Sequence, residues 1–107
     1  MSSITVKDLQ EKLGSRDDIV LLDVREQQEL SGELGHINGI VHIPLGELPV
    51  RFRELDGSKE KTVVTVCKMG GRAGRAAEFL QQCGFENVMV LEGGMESWRA
   101  CGLPTKA

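Results

Sequence analysis

At 107 residues, the chain is long enough to bury one hydrophobic core and too short for two, so a single domain over residues 1–107 is expected. Hydrophobic residues at 40% and charged residues at 27% exclude a disordered or collagen-like chain. A net charge of -3 with only three Phe and one Trp offers neither the basic stripe nor the stacking platforms of a nucleic-acid surface.

The N-terminal stretch Met1-Ser2-Ser3-Ile4-Thr5-Val6-Lys7 has no charged leader followed by an apolar run, and no segment reaches the length of a bilayer span. Val6, Leu9 and Leu13 then share one helical face, stopped by Gly14. Ile19-Val20-Leu21-Leu22 is apolar without polar alternation, which predicts a strand covered on both faces. Glu26 to Ser31 reads as a short helix, and Ile40 to Ile43 as a strand. Pro49 opens a helix that ends at Leu55, before Gly57. Thr62-Val63-Val64-Thr65-Val66 is a second doubly covered strand; Ala73, Ala76, Ala77 and Leu80 follow as a helical face stopped by Gly84. Val88-Met89-Val90-Leu91 is a third such strand, and Met95 to Ala100 closes the series as a helix. Strands that lack alternation and are separated by helices predict an α/β domain with a parallel sheet and helices on both faces.

In an open parallel sheet, ligands bind beyond the carboxyl ends of the strands. Cys67 stands there, followed by Lys68-Met69-Gly70-Gly71-Arg72 and then the helix beginning near Ala73. Gly70 and Gly71 permit positive φ, so successive N–H groups can curve toward one anionic atom. The helix start adds unpaired N–H groups, and Lys68 and Arg72 add full positive charges. This combination favours negative charge on the sulfur and makes Cys67 a candidate nucleophile.

Four ordered blocks then resemble the rhodanese family. They are Leu21-Leu22-Asp23-Val24-Arg25-Glu26; Gly35-His36-Ile37-Asn38-Gly39-Ile40 with His42-Ile43-Pro44-Leu45; Val66-Cys67-Lys68-Met69-Gly70-Gly71-Arg72-Ala73; and Leu91-Glu92-Gly93-Gly94-Met95 with Trp98, Gly102 and Pro104. The resemblance spans nearly the whole chain. It implies a five-stranded parallel sheet and a ping-pong sulfurtransferase. Cys67 would take a sulfane sulfur from a donor such as thiosulfate and pass it to a thiophilic acceptor: cyanide, a thiol or a protein. It also implies that Lys68, Met69, Gly70, Gly71, Arg72 and Ala73 bind substrate and that Asp23 and Arg25 support the loop. Asn38 and Ile40 depart from the family's usual proline or alanine at positions that concern packing.

Blander roles compete for several residues. Cys83 beside Gly84 and Cys101 near the C-terminus read as packing or incidental thiols. The three cysteines form an odd set without paired spacing, which argues for a reducing compartment and so for a cytoplasmic location. Neither they nor His36 and His42 show metal-ligand spacing, so no metal and no cofactor is expected. The histidines read as hydrogen-bonded structural groups, Asp23 as a scaffold acid able to pair or cap, Met95 and Trp98 as core, and Arg75 as a solvated helix residue. The run Gly70 to Arg75 lacks the endings of a nucleotide phosphate loop. Two rival functions stand beside sulfur transfer. A cysteine phosphatase or arsenate reductase places five residues between Cys and Arg, whereas Cys67 and Arg72 enclose four. A rhodanese module used only for docking typically lacks the cysteine or the loop donors, and both are present here.

Overall fold

The computed structural model describes residues 2–15 and 18–107; Met1, the first residue of the N-terminal stretch above, lies outside them. In chain order the elements are β1 (Ser2–Ile4), α1 (Val6–Gly14), β2 (Ile19–Asp23), α2 (Gln27–Leu30), β3 (Val41–His42), α3 (Leu48–Arg51), β4 (Thr62–Val66), α4 (Gly71–Gln82), β5 (Asn87–Leu91) and α5 (Gly94–Ala100). All strand pairs are parallel and the order across the sheet is β1-β5-β4-β2-β3.

Leu21 and Leu22 are adjacent and both buried, yet they belong to two separate cores, as do Val63 and Val64. Successive strand side chains point to opposite faces, so a run without polar alternation fills a core on each side. On one face Leu22, Val63 and Val88 pack against Ala73, Ala76, Ala77 and Leu80 of α4 and Leu48 of α3. On the other, Leu21, Val64, Val66 and Leu91 pack against Val6 and Leu9 of α1 and Met95 and Trp98 of α5. Val24 continues the ladder one residue past β2, donating to the carbonyl of Val66 at the end of β4 at 3.0 Å, so β4 is supported up to the residue before Cys67.

Local sequence explains where the helices begin and end. Thr5 caps α1, its hydroxyl accepting the Asp8 N–H at 3.1 Å. Past α4, Cys83 is the C-cap and Gly84 takes φ +94°. Gly84 N–H then reaches Gln81 O and Phe85 N–H reaches Leu80 O, at 3.2 and 3.1 Å. This left-handed closure turns Phe85 into the core and leads into β5.

Four elements differ from expectation. β1 was not singled out in the sequence: it has three residues, and it is held as an edge strand by pairing with β5. The expected strand Ile40 to Ile43 contracts to Val41–His42, and beyond it the N–H groups of Ile43 and Leu45, on either side of Pro44, donate to Asp23 O at 3.2 Å and Val24 O at 3.0 Å. The helix expected from Pro49 to Leu55 is a single α turn flanked by 3-10 turns at Leu45–Glu47 and Phe52–Ser58. The tighter three-residue period aligns Phe52 with Leu55, and both pack on the α4 side of the sheet. Leu13 is 37% exposed and does not join the buried face of Val6 and Leu9. Among the described residues no helix is long and apolar enough to cross a membrane.

Candidate active site

Cys67 directly follows β4 and is 1% exposed. Its Sγ accepts the backbone N–H of Gly70 at 3.0 Å and of Ala73 at 3.3 Å. The helix start explains both bonds. Gly70 is the N-cap of α4 and has no side chain to offer, so the N–H of Ala73, third in the helix, lacks the oxygen that a Ser or Asp cap would provide. The Cys67 sulfur occupies that role from outside the helix. Gly70 reaches it only through φ +131°, a backbone region where other residues are strained. Gly71 is already the first residue of α4, and its φ is not positive.

The opposite side of the loop is pinned by the start of α5. Met95 N–H donates to Cys67 O at 2.8 Å and Glu96 N–H to Lys68 O at 3.1 Å. These carbonyls therefore face α5, which leaves N–H groups to face the sulfur. The approach needs Gly94: at φ +54° a Cβ there would clash with Cys67 O and lie 2.7 Å from Lys68 O. A third anchor is Thr65, buried in β4, whose hydroxyl lies 2.9 Å from Ala73 O and 3.3 Å from Met89 O.

Above the sulfur lies a cavity of about 310 Å3 lined by Cys67, Lys68, Met69, Gly71, Arg72 and Arg75. Three of these six are cations and none is an acid. Met69 is 65% exposed at its rim. Arg72 faces away from solvent in part because its guanidinium donates to both carboxylate oxygens of Glu29, Nη1 to Oε2 at 2.7 Å and Nη2 to Oε1 at 2.9 Å. Glu29 also accepts the Glu26 N–H at 2.7 Å, closing a capping box at the start of α2. The Arg72 hydrogen bonds hold the Glu29 carboxyl well below the usual carboxylate range, at about 2, against the opposing effect of burial. The same bonds raise the Arg72 guanidinium above its ordinary value.

Asp23 and Arg25 lie beneath this pair, both essentially buried. Arg25 donates from Nε and Nη2 to Asp23 at 2.8–3.2 Å, from its backbone N–H to Asp23 at 3.0 Å, and from Nη2 to Gly35 O at 2.7 Å. Its Nη1 reaches Glu29 O at 3.4 Å. The Asp23–Arg25 pair thus holds α2, which in turn presents Glu29 to Arg72. His42 Nε2 lies 2.7 Å from Arg25 O and His36 Nδ1 2.9 Å from Leu30 O. A carbonyl can only accept, so each of these ring nitrogens carries a hydrogen.

The structure therefore gathers Cys67, Lys68, Met69, Gly71 and Arg72 around one cavity and turns the N–H groups of Gly70 and Ala73 onto the sulfur. Asp23 and Arg25 do not line it; Arg25 borders a neighbouring cavity with Glu29, Glu33 and Lys68. The sequence assigns no site role to Glu29 or to Gly94, which it places only in the fourth block of the resemblance, and Arg75, expected in solvent, is exposed and also lines the cavity. Glu29 had a local signal, the Glu-x-x-Glu spacing of a capping box, but nothing local points to Arg72. Among the described residues no group of three or more His, Cys, Asp and Glu is placed to hold a metal ion, and Cys83 and Cys101 are free thiols away from the cavity.

The family model described as Rhodanese-like domain matches residues 5–101. The Synechocystis protein slr1261, itself uncharacterized, is 38% identical over 104 residues, 96% of this chain. The chain spans only 55% of that relative, about half its length. A protein of Allochromatium vinosum named sulfurtransferase is 31% identical over 107 residues, covering 100% of this chain and 96% of the relative. Among solved structures, a rhodanese-related protein from Thermoplasma volcanium superposes with a TM-score of 0.85 at 36% identity, over 97% of this chain and 96% of that one.

Proposed function

The chain belongs to the rhodanese-like domain family, and from that premise we propose that it moves a sulfane sulfur from a donor such as thiosulfate to a thiophilic acceptor through a persulfide on Cys67. The observation that carries this reading is the Cys67 sulfur at the strand end, facing two backbone N–H groups under a cavity with cationic lining. In the first half-reaction the thiolate of Cys67 attacks the sulfane sulfur. A new S–S bond forms, the donor S–S bond breaks, and sulfite leaves with the electron pair. In the second, cyanide, a thiol or a protein thiol attacks the outer sulfur and returns Cys67 to the thiolate. The N–H groups of Gly70 and Ala73 hold the anionic sulfur in both states, Lys68, Met69, Gly71 and Arg72 shape the cavity around the donor, and Asp23 and Arg25 support the loop through α2.

The chain is read as one rhodanese unit, acting in a reducing compartment such as the cytoplasm, where its three free cysteines stay reduced. A docking-only role is disfavoured by the presence of both the cysteine and its donors, and a phosphatase role by the four-residue spacing from Cys67 to Arg72.

Intact-protein mass spectrometry after thiosulfate treatment tests the reading. A gain of one sulfur atom, discharged by cyanide, is expected for the wild type and for Cys83→Ser and Cys101→Ser, and is expected to be lost in Cys67→Ser. Sulfur uptake that persists in Cys67→Ser overturns the mechanism.

A further inference from the structure

The sulfur-transfer reading leaves open what recognises the anionic end of a donor. A planar guanidinium suits an oxyanion, and Arg72 is the arginine of the loop itself. Its two terminal nitrogens, however, both donate to the Glu29 carboxylate, which offsets its charge at close range. Arg75 is one helical turn further along α4, on the same face, and lines the same cavity. It is exposed, and among the described residues it makes no salt bridge or side-chain hydrogen bond. Lys68 likewise makes no ion pair among the described residues, but it is shared with the neighbouring cavity, where Glu29 and Glu33 lie. Arg75 lines the Cys67 cavity, which has no acid among its lining residues, and is absent from the lining of the neighbouring one.

We infer that Arg75 is the specificity-determining residue for anionic sulfur donors, binding their sulfonate or other oxyanion end, while Arg72 is withheld from substrate by Glu29 and serves to position the loop. This assignment rests on the sulfur-transfer function proposed above. It extends that function to a residue outside the loop and to a substrate class, small sulfur donors that end in an oxyanion.

The test separates anion recognition from sulfur transfer by using sulfate, an oxyanion with no transferable sulfur. Sulfate should slow alkylation of Cys67 by iodoacetamide in the wild type, in competition with thiosulfate. Arg75→Gln should weaken that protection by about fivefold to tenfold and raise the thiosulfate KM by a similar factor with kcat little changed. The effect should shrink at high ionic strength. Arg53→Gln removes the same charge at an exposed site outside the cavity, and it should change neither quantity. Arg72→Lys keeps one donor and the charge beside Glu29, and should leave sulfate protection within about twofold of wild type. No protection by sulfate in the wild type overturns the assignment, as does unchanged protection in Arg75→Gln. Protection that depends on Arg75 in a protein that never takes up sulfur would leave the anion site standing and defeat the sulfur-transfer reading instead.

Discussion

Glu29 on α2 and Arg72 in the first turn of α4 are joined by two hydrogen bonds of 2.7 and 2.9 Å across 43 positions of sequence. The pair clamps the sulfur loop against the segment that follows β2. Both side chains are about one-third exposed, at 30% and 34%, so solvent screens their attraction to a large extent.

Because the Glu29 carboxyl is lowered from 4.5 to about 2 in the folded chain, its contribution to stability is fully present above pH 4.5 and is lost as pH falls through about 2. After discounting for solvent, Glu29→Gln should destabilise the protein at neutral pH by about 1 kcal/mol. Urea denaturation at a series of pH values checks the sign. The gap between wild type and variant should narrow below pH 4.5 and close as the pH passes about 2. A gap that widens on acidification would mean that the carboxylate is destabilising and that the pair is held together by packing.

The buried pair beneath it behaves differently. Asp23 and Arg25 are 0% and 1% exposed, so removing one partner strands the other away from water. Arg25→Leu and Asp23→Leu should each cost about 3–5 kcal/mol, while the double variant should cost clearly less than their sum. Chemical denaturation of the three variants measures the coupling. Simple additivity would show that the two side chains act independently.

Much of the scaffold was legible because its signals are local. Leu21-Leu22 and Val63-Val64 announce strands buried on both faces, and Ala73, Ala76, Ala77 and Leu80 announce the helix that covers them. Cys67 was legible as well, through its place after β4 and before a glycine loop. The misses share a physical cause. β1 has too few residues to carry a pattern and exists through its pairing with β5. The Glu29–Arg72 clamp and the contact of Gly94 with the Cys67 and Lys68 carbonyls arise only when distant segments meet. Arg75 looks like any cation on a helix surface until the cavity beside Cys67 gives it a direction.

Gly94 carries a steric requirement that Gly74 does not. A Cβ at Gly94 would meet the carbonyls of Cys67 and Lys68, whereas at Gly74, inside α4, nothing lies within 4 Å. Gly94→Ala should therefore destabilise by about 2–4 kcal/mol and dislodge the loop, with sulfur transfer falling in parallel. Gly74→Ala should stabilise by about 0.5–1 kcal/mol through helix propensity. Thermal melts and transfer rates on the two variants give the comparison; equal melting shifts would mean that the start of α5 yields without strain.

Gly70 and Gly71 look interchangeable in sequence, and the structure gives them different work. Gly70 holds φ +131° and its N–H lies 3.0 Å from the Cys67 sulfur. Gly71 begins α4 without positive φ, and neither has an atom within 4 Å of where a Cβ would stand. The difference is thus one of backbone conformation and not of space. Gly70→Ala must either adopt a strained φ or rotate the peptide, and rotation removes one of the two donors to the sulfur. Losing one such donor should lower kcat/KM for sulfur transfer by on the order of tenfold to a hundredfold, with a stability loss of only about 1–2 kcal/mol. Gly71→Ala should retain activity within about twofold, since an alanine at the first helical position is a favourable change. Steady-state transfer assays alongside urea denaturation resolve the two effects. Equal losses in both variants would mean that the loop needs two flexible residues to admit its donor, and that the Gly70 N–H is not what holds the sulfur.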